Sequence, residues 1–346
     1  MSTEAERPRV RPAAIVSWLN AGWVERSAIW VVLVALLGVA ALCSDAFLQP
    51  SYLFNMVRQA APVGVAAIGV TLVMVMGGVD LSVGAVISLA AVVAAVLMDG
   101  QAGNIGYALA ATLTIGAAIG FANGVLIAWN RGSPFILTLG TAVAVYGLTQ
   151  IYSGGTARGI VAPGFREFFN ERIGGLVPVL ALLFLAAATI AALVQRTTRF
   201  GRSLYLVGSN PRAARLAGLR AARLTVTTYT LSGLLAALGG IALLARSGVS
   251  STFAGRGFEF DALAAVVLGG TTFEGGRGGV GGTVAGLLVL FVAFNLVNIL
   301  GLNYNVQRLV AGVIIIVASA AYTYLTSRRL TESRLWPSHH TSEGAP

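Results

Sequence analysis

The sequence predicts an all-α, polytopic membrane protein of about ten transmembrane helices with both termini in the cytoplasm. Three observations predict it. Charge is scarce: the 346-residue chain is 56% hydrophobic and only 10% charged, against roughly a quarter charged in a soluble domain. The apolar residues fall in long runs, several approaching the roughly 20 residues that a membrane-crossing helix needs. The 23 basic residues are all Arg, and most sit in the short stretches between those runs, where positive charge sets topology.

The elements follow in order. Arg7, Arg9, Arg11 and Arg26 precede an apolar run that starts at Ala28. That order is shared with signal peptides, but no small-residue cleavage site follows and more spans do, so the run reads as a first anchor helix. The candidate spans are 28–47, 59–79, 81–98, 103–129, 133–154, 175–195, 224–245, 261–273, 279–301 and 306–326. Span 261–273 is short, so it is either tilted or re-entrant. The chain then divides into a cytoplasmic tail over 1–27, a transmembrane domain over 28–326 with an inside loop at 196–223, and a cytoplasmic tail over 327–346. With the N-terminus inside and every segment crossing, sixteen Arg fall on the cytoplasmic side and six outside, the asymmetry that the positive-inside rule expects.

Composition also excludes functions. With no lysine anywhere, the chain lacks the phosphate-gripping lysine of a GxxxxGK loop and is no self-contained P-loop ATPase. Any ATP-derived energy must come from another polypeptide. The formal net charge of +10 is that of a nucleic-acid binder, but its Arg residues are topology signals and no nucleic acid is expected as a partner. Cys43 is the single cysteine, so no disulfide forms within the chain. The bulky Leu42 before it argues against a lipoprotein cleavage site. His339 and His340 lie in a polar tail, which leaves no metal site and no His-based catalysis in the spans. No cofactor is expected, and no paired-carboxylate or Ser/Lys constellation points to an enzyme.

Four stretches carry polar information. In the inside loop, Arg196–Arg223 holds seven Arg and no acid. Within it Gly208–Gly218 reads as a turn and a short helix: Asn210 as N-cap, Pro211 at the first helical position and Gly218 as the stop. A short helix between two spans suits transmission of force from an external motor; a plain basic loop would need no such order. At Gly77-Gly78-Val79-Asp80-Leu81-Ser82, glycines break one helix and Asp80 and Ser82 suit the cap of the next. Asp80 is either that cap or a membrane-embedded proton or ion carboxylate. In Phe258–Gly286, Glu259 and Asp261 are placed at the outer end of the short span, and Glu274 and Arg277 at the inner end, where they are able to pair. The glycines between allow tight turns and close packing. Asn123, Thr138, Asn295 and Asn298 are polar residues within spans, Asn295 and Asn298 on one helix face; they either line a hydrophilic path or bond between helices. The outside loop 155–174, with mixed charge and Phe165, Phe168 and Phe169, suits either docking of a partner or a surface-lying helix.

Taken together and in order, GGVDLSVG (Gly77–Gly84), PFILTLGT (Pro134–Thr141), FGRSLYLVGSNPRAARLAG (Phe200–Gly218), FEFDALAAVVLGGT (Phe258–Thr271) and FEGGRGGVGGT (Phe273–Thr283) resemble the membrane permease subunits of bacterial ABC importers for monosaccharides, the ribose-type family. The likeness covers about residues 50 to 326. It implies an inner-membrane subunit in contact with lipid, which forms a homodimer around a central path. It further implies a separate cytoplasmic ATPase and an extracytoplasmic solute-binding protein. The loop matching Gly208–Gly218 is the family's coupling helix, which assigns Gly208, Asn210, Pro211, Ala213, Ala214 and Gly218 to the ATPase contact. Permeases for branched-chain amino acids are similar in plan. An ion-coupled secondary transporter using Asp80 is the alternative from another class.

Overall fold

The computed structural model describes residues 29–129, 132–303 and 305–317. The tails, both histidines, Arg131 and the end of the last predicted span lie outside them. Among the described residues the protein is helical throughout, apart from a two-strand antiparallel pair, β1 (Arg172–Ile173) and β2 (Val177–Pro178). The helices are α1 (Ile29–Cys43), α2 (Pro50–Val75), α3 (Val83–Met98), α4 (Ile105–Trp129), α5 (Pro134–Ser153), α6 (Pro163–Asn170), α7 (Val179–Thr197), α8 (Arg199–Ser209), α9 (Pro211–Leu216), α10 (Ala221–Ser247), α11 (Phe258–Leu268), α12 (Val280–Ile299) and α13 (Asn305–Val317). Six are long and apolar enough to cross a membrane: α2, α4 with the turn before it, α5, α7, α10 and α12. The protein is a multi-pass, all-α membrane protein.

Local chemistry starts and stops these helices. Pro50, Pro134, Pro163 and Pro211 occupy first-turn positions, where the missing N–H is no loss. α2 stops at Gly77, whose φ of +88° favours glycine. The Gly77 N–H donates to Met74 O at 2.9 Å and the Gly78 N–H to Val73 O at 3.0 Å, which satisfies two of the helix's last carbonyls. α11 is only 11 residues long, about 16 Å at 1.5 Å per residue, so it is a half-helix. The predicted span 261–273 is thus shorter than expected and starts three residues earlier.

α10 is the central pillar, packed on α4, α2 and α3. The buried side of α4 is a stripe of small residues, Ala108, Thr112, Gly116, Gly120 and Gly124, spaced one turn apart. A Cβ on Gly124 would come within 2.7 Å of Val226 Cα, and one on Gly233 within 2.9 Å of Gly120 Cα. Packing, which drives association in lipid, therefore brings the two backbones into contact. Loop 155–174 contains the short helix α6, which lies on the body of the protein: Phe165 is buried, and Asn170 ties α6 to Ala245 O at 2.8 Å and to Arg58 at 2.9 Å.

Candidate functional site

Between α2 and α3 the chain runs non-helically through the packed interior from Met76 to Ser82. Backbone polar groups freed inside a membrane must find partners within the protein, and polar side chains from α5 and α10 supply them, with α4 bonding the Ser82 side chain. The Tyr229 hydroxyl of α10 donates to Val79 O at 3.1 Å. The Leu81 N–H donates to Thr138 Oγ1 of α5 at 3.2 Å. Asp80 is 2% exposed. Its Oδ1 accepts from the Ser82 N–H at 3.0 Å and the Ser82 hydroxyl at 2.6 Å, and its Oδ2 accepts from the Ser232 hydroxyl of α10 at 2.7 Å. The Asn123 amide of α4 donates to Ser82 Oγ at 3.0 Å and accepts from the Thr141 hydroxyl at 2.7 Å. A buried carboxylate with three donors is satisfied without a counter-charge. The arrangement clasps the break to α4, α5 and α10.

This geometry alters the expected roles. Ser82 does occupy the N-cap position of α3, but its side chain accepts no helix N–H. The hydroxyl is engaged by Asp80 and Asn123 instead, because the unpaired backbone and the buried carboxylate compete for it. Asn123 and Thr138, read either as lining a hydrophilic path or as bonding between helices, are 1% and 0% exposed and bond to the break and to neighbouring helices. Asn295 and Asn298 are separate from this cluster and from each other. Asn295 is buried, bonded to the Tyr52 hydroxyl at 3.1 Å and to Phe291 O at 2.8 Å; Asn298 is exposed and accepts from Gln307 at 2.7 Å. Glu274 and Arg277 form no ion pair within 4 Å. The sequence reading missed Ser232, Thr141 and Tyr229. Ser232 and Tyr229 lie three apart on α10, the spacing of one helix face, but α10 carries other Ser and Thr that obscure them.

A second cluster lies at α8 and α9. Asn210 Oδ1 accepts from the Arg212 and Ala213 N–H groups at 3.1 and 3.0 Å, Pro211 starts α9, and Gly218 ends it at φ +80°. Leu219 N–H donates back to Ala214 O at 3.0 Å. Arg212, Ala213 and Arg215 point outward, whereas Ala214 is buried. The corner is backed against the break by backbone contacts. A Cβ on Gly208 would meet Val75 O and, at 2.6 Å, Gly276 N; one on Gly275 would meet Gly77 N at 2.7 Å. The Gly276 N–H donates to Val75 O at 2.8 Å. The Tyr205 hydroxyl donates to Gly278 O at 2.8 Å and Gln195 Oε1 accepts from the Val280 N–H at 2.9 Å. The glycine-rich loop 275–279 therefore serves packing, with α8, the end of α2 and the start of α12 meeting on it.

The family model described as branched-chain amino acid transport system / permease component matches residues 52–319. The chain is 36% identical to the ribose import permease protein of Escherichia coli over 87% of this chain and 94% of that one. It is 37% identical to the ribose import permease protein of Bacillus subtilis, over 81% and 87%. It is 33% identical to the galactose/methyl galactoside import permease protein of Salmonella typhimurium, over 86% and 94%. No solved structure matches. A family match that spans both the broken helix and the α8–α9 corner, with import permeases along nearly their whole length, makes this chain a member of the branched-chain amino acid transport system / permease component family.

Proposed function

We propose that this protein is the membrane-spanning permease subunit of an ATP-driven importer for a monosaccharide. The observation that carries the reading is the similarity to ribose and galactose permeases over most of the chain, combined with a sequence that has no lysine with which to build its own P-loop. The family description names amino acids, but the permeases that this chain matches over most of their length are named for ribose and galactose.

In this reading the chain crosses the inner membrane ten times with both termini in the cytoplasm, sits in lipid, and pairs with a second copy around the path. A cytoplasmic ATPase docks on the exposed face of α9, around Asn210, Pro211 and Ala213, while an extracytoplasmic binding protein delivers the sugar. Closure of the ATPases pushes the α8–α9 corner. Because Gly208 touches Val75 and Gly276 backbone to backbone, that push reaches the break at Gly77–Ser82 without intervening flexible side chains. The clasp around Asp80 then re-forms or releases as α2 and α3 move against α4 and α10. Ala214 and Gly218 hold the shape of α9, and Gly77 and Gly78 supply the hinge. Asn295 and Asn298 contribute polar groups toward the outer end of α12.

The test is purification from native membranes by a tag on this chain. A two-site P-loop ATPase should copurify, and sugar uptake should stop when that ATPase is inactivated. Uptake that persists would exclude the mechanism.

A further inference from the structure

The loop after α10 does not stay at the surface. The Gly255 N–H donates to the Ser88 hydroxyl of α3 at 2.9 Å, and Gly240 of α10 and Gly255 both pack against Ile87. Gly240 lies seven residues before the end of α10 at Ser247, about 10 Å along the helix. Ser88 lies ten residues before the end of α3, about 15 Å. The chain thus descends roughly 10 Å between the helix ends before α11 begins, so Glu259 and Asp261 are buried deep rather than at the outer end of a span. Arg256, counted by sequence among the outside residues, goes with them.

These residues form a mixed cluster. The Glu259 carboxylate accepts from the Gly257 N–H at 3.0 Å and lies within electrostatic reach of Arg256 and Arg308. Arg256 stacks over Phe253 at 5.7 Å, and Phe253 lies 6.4 Å from the ring of Tyr146 on α5. Arg308 of α13 donates to Arg256 O at 2.8 Å and stands 3.7 Å from Asp261. One buried polar atom here, Asp261 Oδ1, makes no hydrogen bond, and the buried Tyr146 hydroxyl stands beside the Ser88 hydroxyl. Asp261 is 5% exposed. Yet the edge of the cluster is open, since Arg256 and Phe253 are exposed and Glu259 is partly so. Charge at this depth does not face lipid, so the open edge faces water or protein.

We propose that Tyr146, Phe253, Arg256 and Glu259, backed by Asp261 and Arg308, form a contact site for the sugar on its way through the permease. The chemistry suits a neutral polyol. Aromatic rings meet the apolar C–H face of a pyranose or furanose, a carboxylate accepts from hydroxyls, and a guanidinium donates to adjacent oxygens. The Tyr146 hydroxyl, which both donates and accepts, has room beyond Ser88 for a further hydrogen bond to a sugar hydroxyl. This site rests on the sugar-import reading above and adds to it a place where the membrane subunit itself discriminates among sugars.

The test uses the complete importer, with its ATPase and binding protein, in proteoliposomes. Radiolabelled D-ribose, D-galactose and D-xylose are each supplied at a concentration that saturates the binding protein, so that its affinity drops out. Rates are expressed per assembled complex for wild type, Glu259→Gln and Tyr146→Phe. The second variant removes only a hydroxyl and keeps the ring. The expected result is a change of about three-fold or more in the ratio between the best-carried sugar and the others, because a lost hydrogen bond affects sugars unequally. A common factor for all three sugars in both variants, or no change, would overturn the site while leaving the importer reading intact. Wild type carrying none of the three would overturn both.

Discussion

Gly208 lies directly against the carbonyl of Val75, with no room for a Cβ between them. A residue of the basic α8–α9 corner thus touches the last turn of the helix that breaks at Gly77. Replacing Gly208 by valine must displace one of these backbones. The variant should insert and bind its ATPase, hydrolyse ATP, and move sugar at a rate at least about ten-fold below wild type, a loss of roughly 1.4 kcal/mol or more in transition-state terms. Parallel assays of phosphate release and uptake check it. Unchanged coupled transport would remove the role assigned to this contact.

Ala213 and Ala214 are adjacent but should behave differently. Ala213 is exposed and Ala214 is buried. Ala213→Trp should leave the thermal stability of the isolated subunit unchanged while weakening ATPase copurification. Ala214→Trp overpacks the corner and should lower stability by about 1–3 kcal/mol. Size-exclusion profiles after heating, beside pull-down yields, distinguish the two.

Asn210 is testable through its own hydrogen bonds. Asn210→Ala removes the acceptor of two N–H groups and should cost about 1 kcal/mol of local helix stability. Asn210→Asp retains an acceptor and should restore most of the coupling. Amide hydrogen exchange over 211–216 should rise in the first variant and return toward wild type in the second.

How much of this was legible beforehand depends on the kind of residue. Caps and stops are local, so Asn210, Pro211 and Gly218 announced α9 from their order alone. The glycines at 77 and 78 announced the break. The partners of the break were not legible, because Ser232 and Tyr229 are about 150 residues away and sit in a helix with several similar hydroxyls. Span counting placed Glu259 and Asp261 at an outer end because hydropathy treats a segment as a full crossing. It carries no signal that the loop before them descends along α3. Glu274 and Arg277 are near enough in sequence to be able to pair, but they form no ion pair within 4 Å.

Asp80 tests the clasp. Asp80→Ala leaves the hydroxyls of Ser82 and Ser232 without their acceptor in a buried site, at a cost of about 1–3 kcal/mol for each group stranded. Asp80→Asn keeps one acceptor oxygen and should be milder in both stability and transport. A heating series on the detergent-purified subunit reads the order, wild type above Asp80→Asn above Asp80→Ala. Equal stability of all three would mean that the carboxylate does not hold the break.

The seam between α4 and α10 predicts a contrast among glycines. Gly120→Val drives a side chain into the Tyr229 backbone and should abolish monodisperse protein. A Cβ at Gly140 meets nothing within 4 Å, so Gly140→Ala should leave the folded yield within about two-fold of wild type, as surface changes do. Fluorescence-detected size exclusion reports both.

The most direct test of the central claim is solute accumulation in sealed proteoliposomes, with this subunit alone and with its ATPase, binding protein and internal ATP. The account predicts that sugar rises above its external concentration only in the complete system and only while ATP lasts. Accumulation by the lone subunit, driven by a proton or sodium gradient, would contradict it.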